Sequence, residues 1–135
     1  MNLFSRKLIF HIILPLIAGA AIYIFFRKNT WLRIHLLPPD IYSVTLSRGP
    51  LNDLFVFNLP DFCWSYSLAS SLFYWKRLDK VNNRYFPVLV LLLIIAAESA
   101  QYFLSPQFTF DRLDIVAAIM AFFLSYLLNG RHESS

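Results

Sequence analysis

Charge is scarce in this sequence. Only 15% of its 135 residues are charged, whereas 58% are hydrophobic and 18% aromatic. A water-soluble domain of this size needs far more polar surface, so the composition excludes that class and predicts a membrane protein. The net charge of +4 belongs to basic residues that flank the apolar runs. We see no basic and aromatic surface of the kind that binds nucleic acid.

Cysteine, glycine and histidine are also rare. The single cysteine, Cys63, excludes an internal disulfide, and three scattered histidines make a zinc site improbable. The sequence shows neither a glycine-rich loop that cradles phosphate nor a pair formed by a nucleophile and a base. These features favour a protein that is not an enzyme and that uses no cofactor.

Four apolar runs predict an all-α membrane protein, a compact bundle of four transmembrane helices that forms a single domain over residues 1–135. A cleaved signal peptide is the alternative for the first run, but that run continues without a break to Phe26. The second run carries Asp61 and four serines, so we expect it to pack inside the bundle. The predicted spans are residues 8–26, 59–75, 86–104 and 108–128.

The connections between the runs predict how the bundle is oriented. The longest, residues 27–57, mixes prolines with aromatic and aliphatic side chains, which is typical of an interfacial segment. Four spans place both termini on one side, and that side holds seven of the 12 Lys and Arg residues. The positive-inside rule then predicts a multi-pass protein of the inner membrane with both termini in the cytoplasm.

Polar groups inside the apolar runs are the candidate functional residues, because a membrane-spanning helix seldom keeps an ionisable side chain without a reason. Two pairs of these residues, Glu98 with Gln101 and Asp111 with Asp114, are spaced three apart. This spacing keeps both side chains of a pair on one helical face. Gln101 and Arg112 are the nearest candidate partners for Glu98. The topology predicts that five polar residues lie together at one end of the bundle, in the outer leaflet. They are Asp61, Glu98, Gln101, Asp111 and Asp114.

The alternative interpretation is that these groups cap helices or support packing. Asp111, at the start of a run, would be stabilised by the helix dipole. Asp61 follows Pro60 at the start of the second run, which also suits a capping role. Glu98 and Asp114 lie within apolar sequence, so for them we favour function.

Two smaller features concern packing. His11 lies one turn before Pro15 inside the first run, and we expect it to form a hydrogen bond within the bundle rather than to bind a metal. Pairs of small residues four apart predict close helix contacts. These pairs are Ser67 with Ser71, Ala96 with Ala100, and Ala117 with Ala121.

Residues 98–114, ESAQYFLSPQFTFDRLD, resemble the signature of the VanZ-like membrane proteins. In that family an acidic residue and a Gln three positions apart close one helix, and a turn with proline and a Thr-Phe-Asp-x-x-Asp segment open the next. The resemblance covers about the last fifty residues and implies a bundle of about four or more transmembrane helices. It also implies a role in the cell envelope, since the family is named after a member linked to resistance to a lipoglycopeptide antibiotic.

The family's polar positions carry over to Glu98, Gln101, Asp111 and Asp114. The chain departs from the family at a turn arginine, at an asparagine and a glycine of the last helix, and at a histidine early in the second span. In these places it has Phe108, Ala118 and Ala121, and near the missing histidine stand Asp61, Trp64 and Tyr66.

The leading functional hypothesis is an outward-facing acidic and aromatic pocket that binds an envelope lipid, a lipoglycopeptide or a lipid-linked precursor. Its predicted residues are Glu98, Gln101, Asp111, Asp114, Asp61, Trp64 and Tyr66. A second hypothesis is a small accessory subunit that binds a larger membrane protein. A third is a cation-coupled carrier or membrane enzyme whose carboxylates hold a proton or a divalent ion.

Overall fold

The computed structural model of the protein describes residues 3–27, 47, 49–78, 83–104 and 112–130, and these form four helices without any strand. A helix therefore covers each predicted span as far as the chain is described. Three of the helices contain one wider, π-helical turn. The helices are α1 (Leu3–Leu8, π turn Ile9–Ile13, Leu14–Phe26), α2 (Pro50–Asp53, π turn Leu54–Asn58, Leu59–Leu78), α3 (Phe86–Leu104) and α4 (Arg112–Ser125, π turn Tyr126–Gly130).

The second helix begins earlier than the sequence predicts. The loop was expected to reach residue 57, but α2 starts at Pro50, where the amide of Asp53 donates to the carbonyl of Gly49 at 2.9 Å. Asp61 therefore lies well inside the helix, and its predicted capping role is wrong. The sequence pattern alone places Pro60 at the start of a helix, but in the structure it is an interior proline of α2.

The chain tolerates this interior proline because another helix compensates for the missing amide. A proline at position 60 offers no N–H to the carbonyl of Val56, four residues earlier. The helix widens into a π turn there, and the amide of Leu59 donates to the carbonyl of Leu54. Arg27, directly after α1, donates from its Nε to the Val56 carbonyl at 3.2 Å.

Close packing joins α1 to α2. Gly19 is buried, and a Cβ atom at this position would lie 2.7 Å from the Trp64 ring, closer than real contacts allow. Two turns of α1 closer to its start, the carbonyl of Ile12 accepts a hydrogen bond of 2.7 Å from Ser67. Ser67 thus lies in the helix contact that its size predicted, whereas Ser71 donates within α2 to the carbonyl of Leu68.

The second helix lies at the centre of the bundle and contacts each of the other three helices. Its neighbours α1 and α3 run antiparallel to it, and α4 runs parallel to it, as two contacts along each pair show. These contacts are His11–Tyr66 with Arg27–Val56, Glu98–Ser65 with Phe86–Phe73, and Asp114–Asn58 with Ser125–Ser70. An apolar core is shared by α2, α3 and α4. It consists of Ala69, Phe73, Val90, Ile94, Ala118 and Phe122.

The exterior of the bundle is strongly apolar. More large apolar side chains are exposed than buried among the described residues, and examples such as Ile17 and Met120 are about as exposed as charged surface residues usually are. Two helical stretches are long and apolar enough to cross a membrane: Arg6–Phe26, with a mean hydropathy of 2.4, and Arg112–Gly130, with 1.8. Ala96 belongs to this exposed surface, so it does not make the helix contact predicted for it.

Candidate functional site

Three carboxylates from three helices meet at one end of the bundle. Asp61 comes from α2, Glu98 from α3 and Asp114 from α4, and their exposed fractions are only 8%, 7% and 7%. Asp61 is close enough to interact electrostatically with both other carboxylates. We call these three residues the carboxylate cluster. It lies near the start of α4 and the end of α1, about three helical turns after the start of α2.

The second helix supplies hydrogen-bond donors to this cluster. Asn58 precedes Asp61 by three residues and Ser65 follows it by four, so all three lie on one helical face. The Nδ2 of Asn58 donates to Oδ1 of Asp114 at 2.8 Å, and the hydroxyl of Ser65 donates to Oε1 of Glu98 at 3.2 Å. Neither donor was predicted from the sequence, although the spacing of each from Asp61 places it on the same helical face.

A cation from α1 completes the cluster. The guanidinium of Arg27 lies 3.9 Å from Oδ2 of Asp61 and donates a hydrogen bond of 2.6 Å to the carbonyl of Phe57. It also stands over the rings of Tyr23 and Phe57, with 4.9 and 5.2 Å to the ring centroids. Such stacking suits the planar guanidinium group better than a lysine ammonium. The sequence had indicated only that Arg27 is one of the basic residues that flank the apolar runs.

Not every predicted partner reaches the cluster. Arg112 is exposed, because it precedes Asp114 by two residues and so faces away from the side of α4 that Asp114 buries. Glu98 accepts a hydrogen bond from Ser65. The side chain of Gln101 and all of Asp111 lie outside the described residues.

The aromatic residues of the predicted pocket pack against α1. Trp64 lies at Gly19 and pairs with the ring of Tyr23 at 5.5 Å between centroids. Tyr66 shares a hydrogen bond of 2.6 Å between its hydroxyl and Nδ1 of His11. Five residues place Tyr66 about 140° around the helix from Asp61, which explains why the two face different neighbours. The prediction that His11 bonds within the bundle is confirmed.

A second polar layer lies on the other side of the bundle's midpoint. The hydroxyls of Ser70 and Ser125 lie 2.9 Å apart, and Nδ2 of Asn129 donates to Ser70 at 3.3 Å. These groups join α2 to α4, a pairing that the apolar runs did not predict. Their only signal was that Asn129, directly after the fourth run, follows Ser125 by four residues.

Each π turn carries a polar side chain that bonds to another helix. They are His11 in α1, Asn58 in α2 and Asn129 in α4. A π turn adds one residue to the helical repeat and so redirects a side chain, which is why such turns often occur at functional sites. In this bundle they aim polar groups at partners across helix interfaces.

The chemistry open to the carboxylate cluster follows from its donors and acceptors. Three carboxylates against one arginine make the site rich in acceptors among the described residues, so it suits amine and hydroxyl groups. No three His, Cys, Asp or Glu side chains in the described part of the chain are grouped so as to hold a metal ion.

Comparison with known proteins returned no match from any protein family model, any curated protein or any solved structure. The resemblance to VanZ-like proteins therefore stays a prediction from the sequence, with residues 98–114 as its signature.

Proposed function

We propose that this chain is an integral protein of the inner membrane, with four transmembrane helices and both termini in the cytoplasm. Its distribution of side chains supports the proposal. Large apolar side chains cover the outside of the described bundle, while carboxylates, serines and asparagines are buried inside it. That arrangement suits a protein surrounded by hydrocarbon, where polar groups must find their partners between helices.

In this protein the carboxylate cluster serves as a polar site in the outer leaflet for the head group of an envelope amphiphile. The observation that carries the proposal is the convergence of Asp61, Glu98 and Asp114 from three helices beside Arg27. Buried carboxylates in an apolar bundle are costly and mark functional sites more often than ordinary packing positions. An excess of acceptors favours a ligand with amine or hydroxyl donors.

Three ligand classes meet that requirement: an envelope lipid, a lipoglycopeptide and a lipid-linked precursor. Each joins a polar head group with several donors to an apolar chain that the surrounding bilayer accommodates. The resemblance to VanZ-like proteins supports the same role in the envelope. The lack of a nucleophile and base pair and of a phosphate-binding glycine loop in the sequence favours binding over catalysis.

A native mass spectrum of the protein extracted in mild detergent tests this proposal. We expect the wild type to carry an adduct of lipid size and Glu98→Gln to lose it, because the amide keeps an acceptor for Ser65 but removes the negative charge. Asp53→Asn is the control, since Asp53 is an exposed acid of α2 near the same end of the bundle. Equal adducts on all three proteins would contradict the proposal, as would a wild type without any adduct.

One observation favours a second function, that of an accessory subunit. The cluster already forms hydrogen bonds across helices, from Asn58 to Asp114 and from Ser65 to Glu98, as expected of groups that lock a bundle. The partner would then dock on an exposed face such as that of Leu92 and Ala96 on α3. A stoichiometric foreign polypeptide that co-purifies with the wild type but is lost from Ala96→Trp would support this function.

A further inference from the structure

A cavity lies at the end of the bundle opposite the carboxylate cluster. Its volume is about 240 Å³, more than ten times the roughly 15 Å³ that one buried water molecule needs. It opens between the end of α2, the start of α3 and the end of α4. Its lining consists of Phe73, Lys76, Arg77, Asn83, Arg84, Pro87, Tyr126, Asn129 and Gly130.

The charge of this lining is all of one sign. Lys76, Arg77 and Arg84 are the ionisable groups among the lining residues apart from the phenol of Tyr126, and none of the described lining residues is acidic. The neighbouring residues 79–82 and 131–135 lie outside the described part of the chain. Their formal charges cancel, since Asp79 and Glu133 oppose Lys80 and Arg131. The cavity thus has an excess of positive charge, which suits an anion.

The basic side chains are held in place by the bundle. Lys76 is only 6% exposed, and its Nζ lies 5.6 Å from the centroid of the Phe86 ring. Arg77 donates a hydrogen bond to the carbonyl of Asn129. That bond also offsets the partial negative charge at the end of α4, which would otherwise repel an anion. Both groups are therefore oriented before any ligand arrives.

The surroundings of the cavity indicate which anion fits. Trp75, Leu78 and Tyr85 are exposed and are sequence neighbours of the basic lining residues. Trp and Tyr side chains are enriched where a membrane protein meets the interface. An acyl chain could lie along this surface while its head group enters the cavity. Basic pockets between helices at the cytoplasmic face recognise the phosphate groups of lipids.

We propose that this cavity binds the phosphate group of an anionic phospholipid. The inference goes beyond the carboxylate site and rests on the proposed function only for the placement of the bundle in a membrane. Lys76 and Arg84 supply charge to the phosphate, Asn83 supplies a polar edge, and Phe73 and Tyr126 form the apolar floor.

The experiment measures lipid retention in native mass spectra of the protein taken from nanodiscs with equal phosphatidylglycerol and phosphatidylcholine. We expect the wild type to retain phosphatidylglycerol preferentially. Arg84→Gln should lower the ratio of phosphatidylglycerol to phosphatidylcholine about fivefold. This is roughly the gain in affinity that one basic residue gives near an anionic lipid surface. Arg6→Gln is the control, because Arg6 is an exposed base at the same end of the bundle but outside the cavity lining.

A second pair of variants keeps the test independent of folding. Asn83 accepts a hydrogen bond of 2.9 Å from the amide of Tyr85 through its side-chain oxygen, and both Asp and Ser retain an acceptor there. Asn83→Asp places a negative charge at the cavity and should lower the lipid ratio by a similar factor. Asn83→Ser removes the amide from the polar edge but changes no charge, so it should lower the ratio by less than Asn83→Asp does.

The outcomes separate the sources of phosphate and the two proposals. Equal retention of both lipids by the wild type would overturn the inference, as would an unchanged ratio in Arg84→Gln and Asn83→Asp. Loss of bound phosphatidylglycerol on addition of millimolar inorganic phosphate would assign the cavity to a soluble phosphate compound instead and overturn the lipid assignment. Glu98→Gln should keep the ratio of the wild type, so failure of the carboxylate site is recognised separately.

Discussion

Two regions of α2 hold charge in different ways. In the carboxylate cluster, about three turns into the helix, Asp61 is buried and close to charged groups of the other helices. At its end, Lys76 and Arg77 line a cavity that is open to a ligand. The first arrangement makes the fold depend on the polar groups, whereas the second places basic side chains around a cavity. Substitutions should therefore lower stability as well as ligand binding at the carboxylate cluster, and change chiefly binding at the cavity.

Distance and packing keep the two ends independent. Asp61 and Arg77 are sixteen residues apart on one helix, about 24 Å along its axis. Between them lie the bonded pair Ser70 and Ser125 and the apolar core around Phe73. Effects of substitutions at sites this far apart usually add, so each end can be tested alone.

The largest effect is expected from removal of the cation at the carboxylate end. Arg27→Met should lower the free energy of unfolding by about 3 kcal/mol, because it leaves a buried carboxylate without its partner. It also removes the donors to the carbonyls of Val56 and Phe57. Denaturant titration in mild detergent, followed by circular dichroism, measures the change.

Arg27→Lys is the control for this prediction. It retains the charge beside Asp61 but loses the fork of donors, so its stability should fall between those of the wild type and Arg27→Met. A stability equal to that of the wild type in both variants would show that the carboxylate end does not depend on its cation.

The contact between α1 and α2 gives the next effect. Gly19→Ala should cost about 2 kcal/mol, since a Cβ atom there meets the Trp64 ring at 2.7 Å. Gly49→Ala is a matched control, because no atom lies within 4 Å of its Cβ position and its backbone is extended. Thermal unfolding in detergent compares the two variants, and equal melting temperatures would argue against close packing at Gly19.

A smaller effect is expected from a single donor of the carboxylate cluster. Ser65→Ala removes the hydrogen bond to Glu98 and should cost about 1 kcal/mol, within the range measured for bonds between membrane helices. Ser71→Ala removes a bond to the carbonyl of Leu68 in the same helix and should cost less than about 0.5 kcal/mol. A reversed order in denaturant titration would mean that Ser65 contributes little to the cluster.

The smallest change in stability is expected at the basic end. Arg84→Gln should alter the free energy of unfolding by less than about 0.5 kcal/mol, because Arg84 is exposed and its described bond is to the neighbouring Tyr85. Its effect should appear in lipid retention instead. A loss of more than about 1 kcal/mol on denaturant titration would erase the contrast between the two ends.

Much of the helical organisation could be predicted from composition and from the positions of the apolar runs. Helix α3 begins at Phe86 and ends at Leu104, the bounds that the apolar run predicts. The antiparallel order of the first three helices also implied that Asp61 and Glu98 lie at the same end. These features follow from the hydrophobic pattern and from chain length, which are properties of one segment at a time.

The start of α2 and the role of Asp61 could not be predicted in this way. A proline after an apolar and aromatic loop indicates a helix start when the segment is considered alone. The helix continues through Pro60 after a π turn, and Arg27, 33 residues earlier in the chain, donates to the Val56 carbonyl that an α-helical amide at position 60 would have served. A contact of that kind is invisible to local pattern analysis.

The sequence by itself determined the class of the protein, an all-helical chain with apolar runs, and the polar residues that those runs contain. Only the tertiary structure decided how these residues combine. It paired Ser65 with Glu98, Asn58 with Asp114 and Arg27 with Asp61, and it collected basic residues of two helix ends around one cavity. The physical reason is that hydrophobic periodicity acts within a helix, whereas hydrogen bonds and charge pairs depend on which helix faces which.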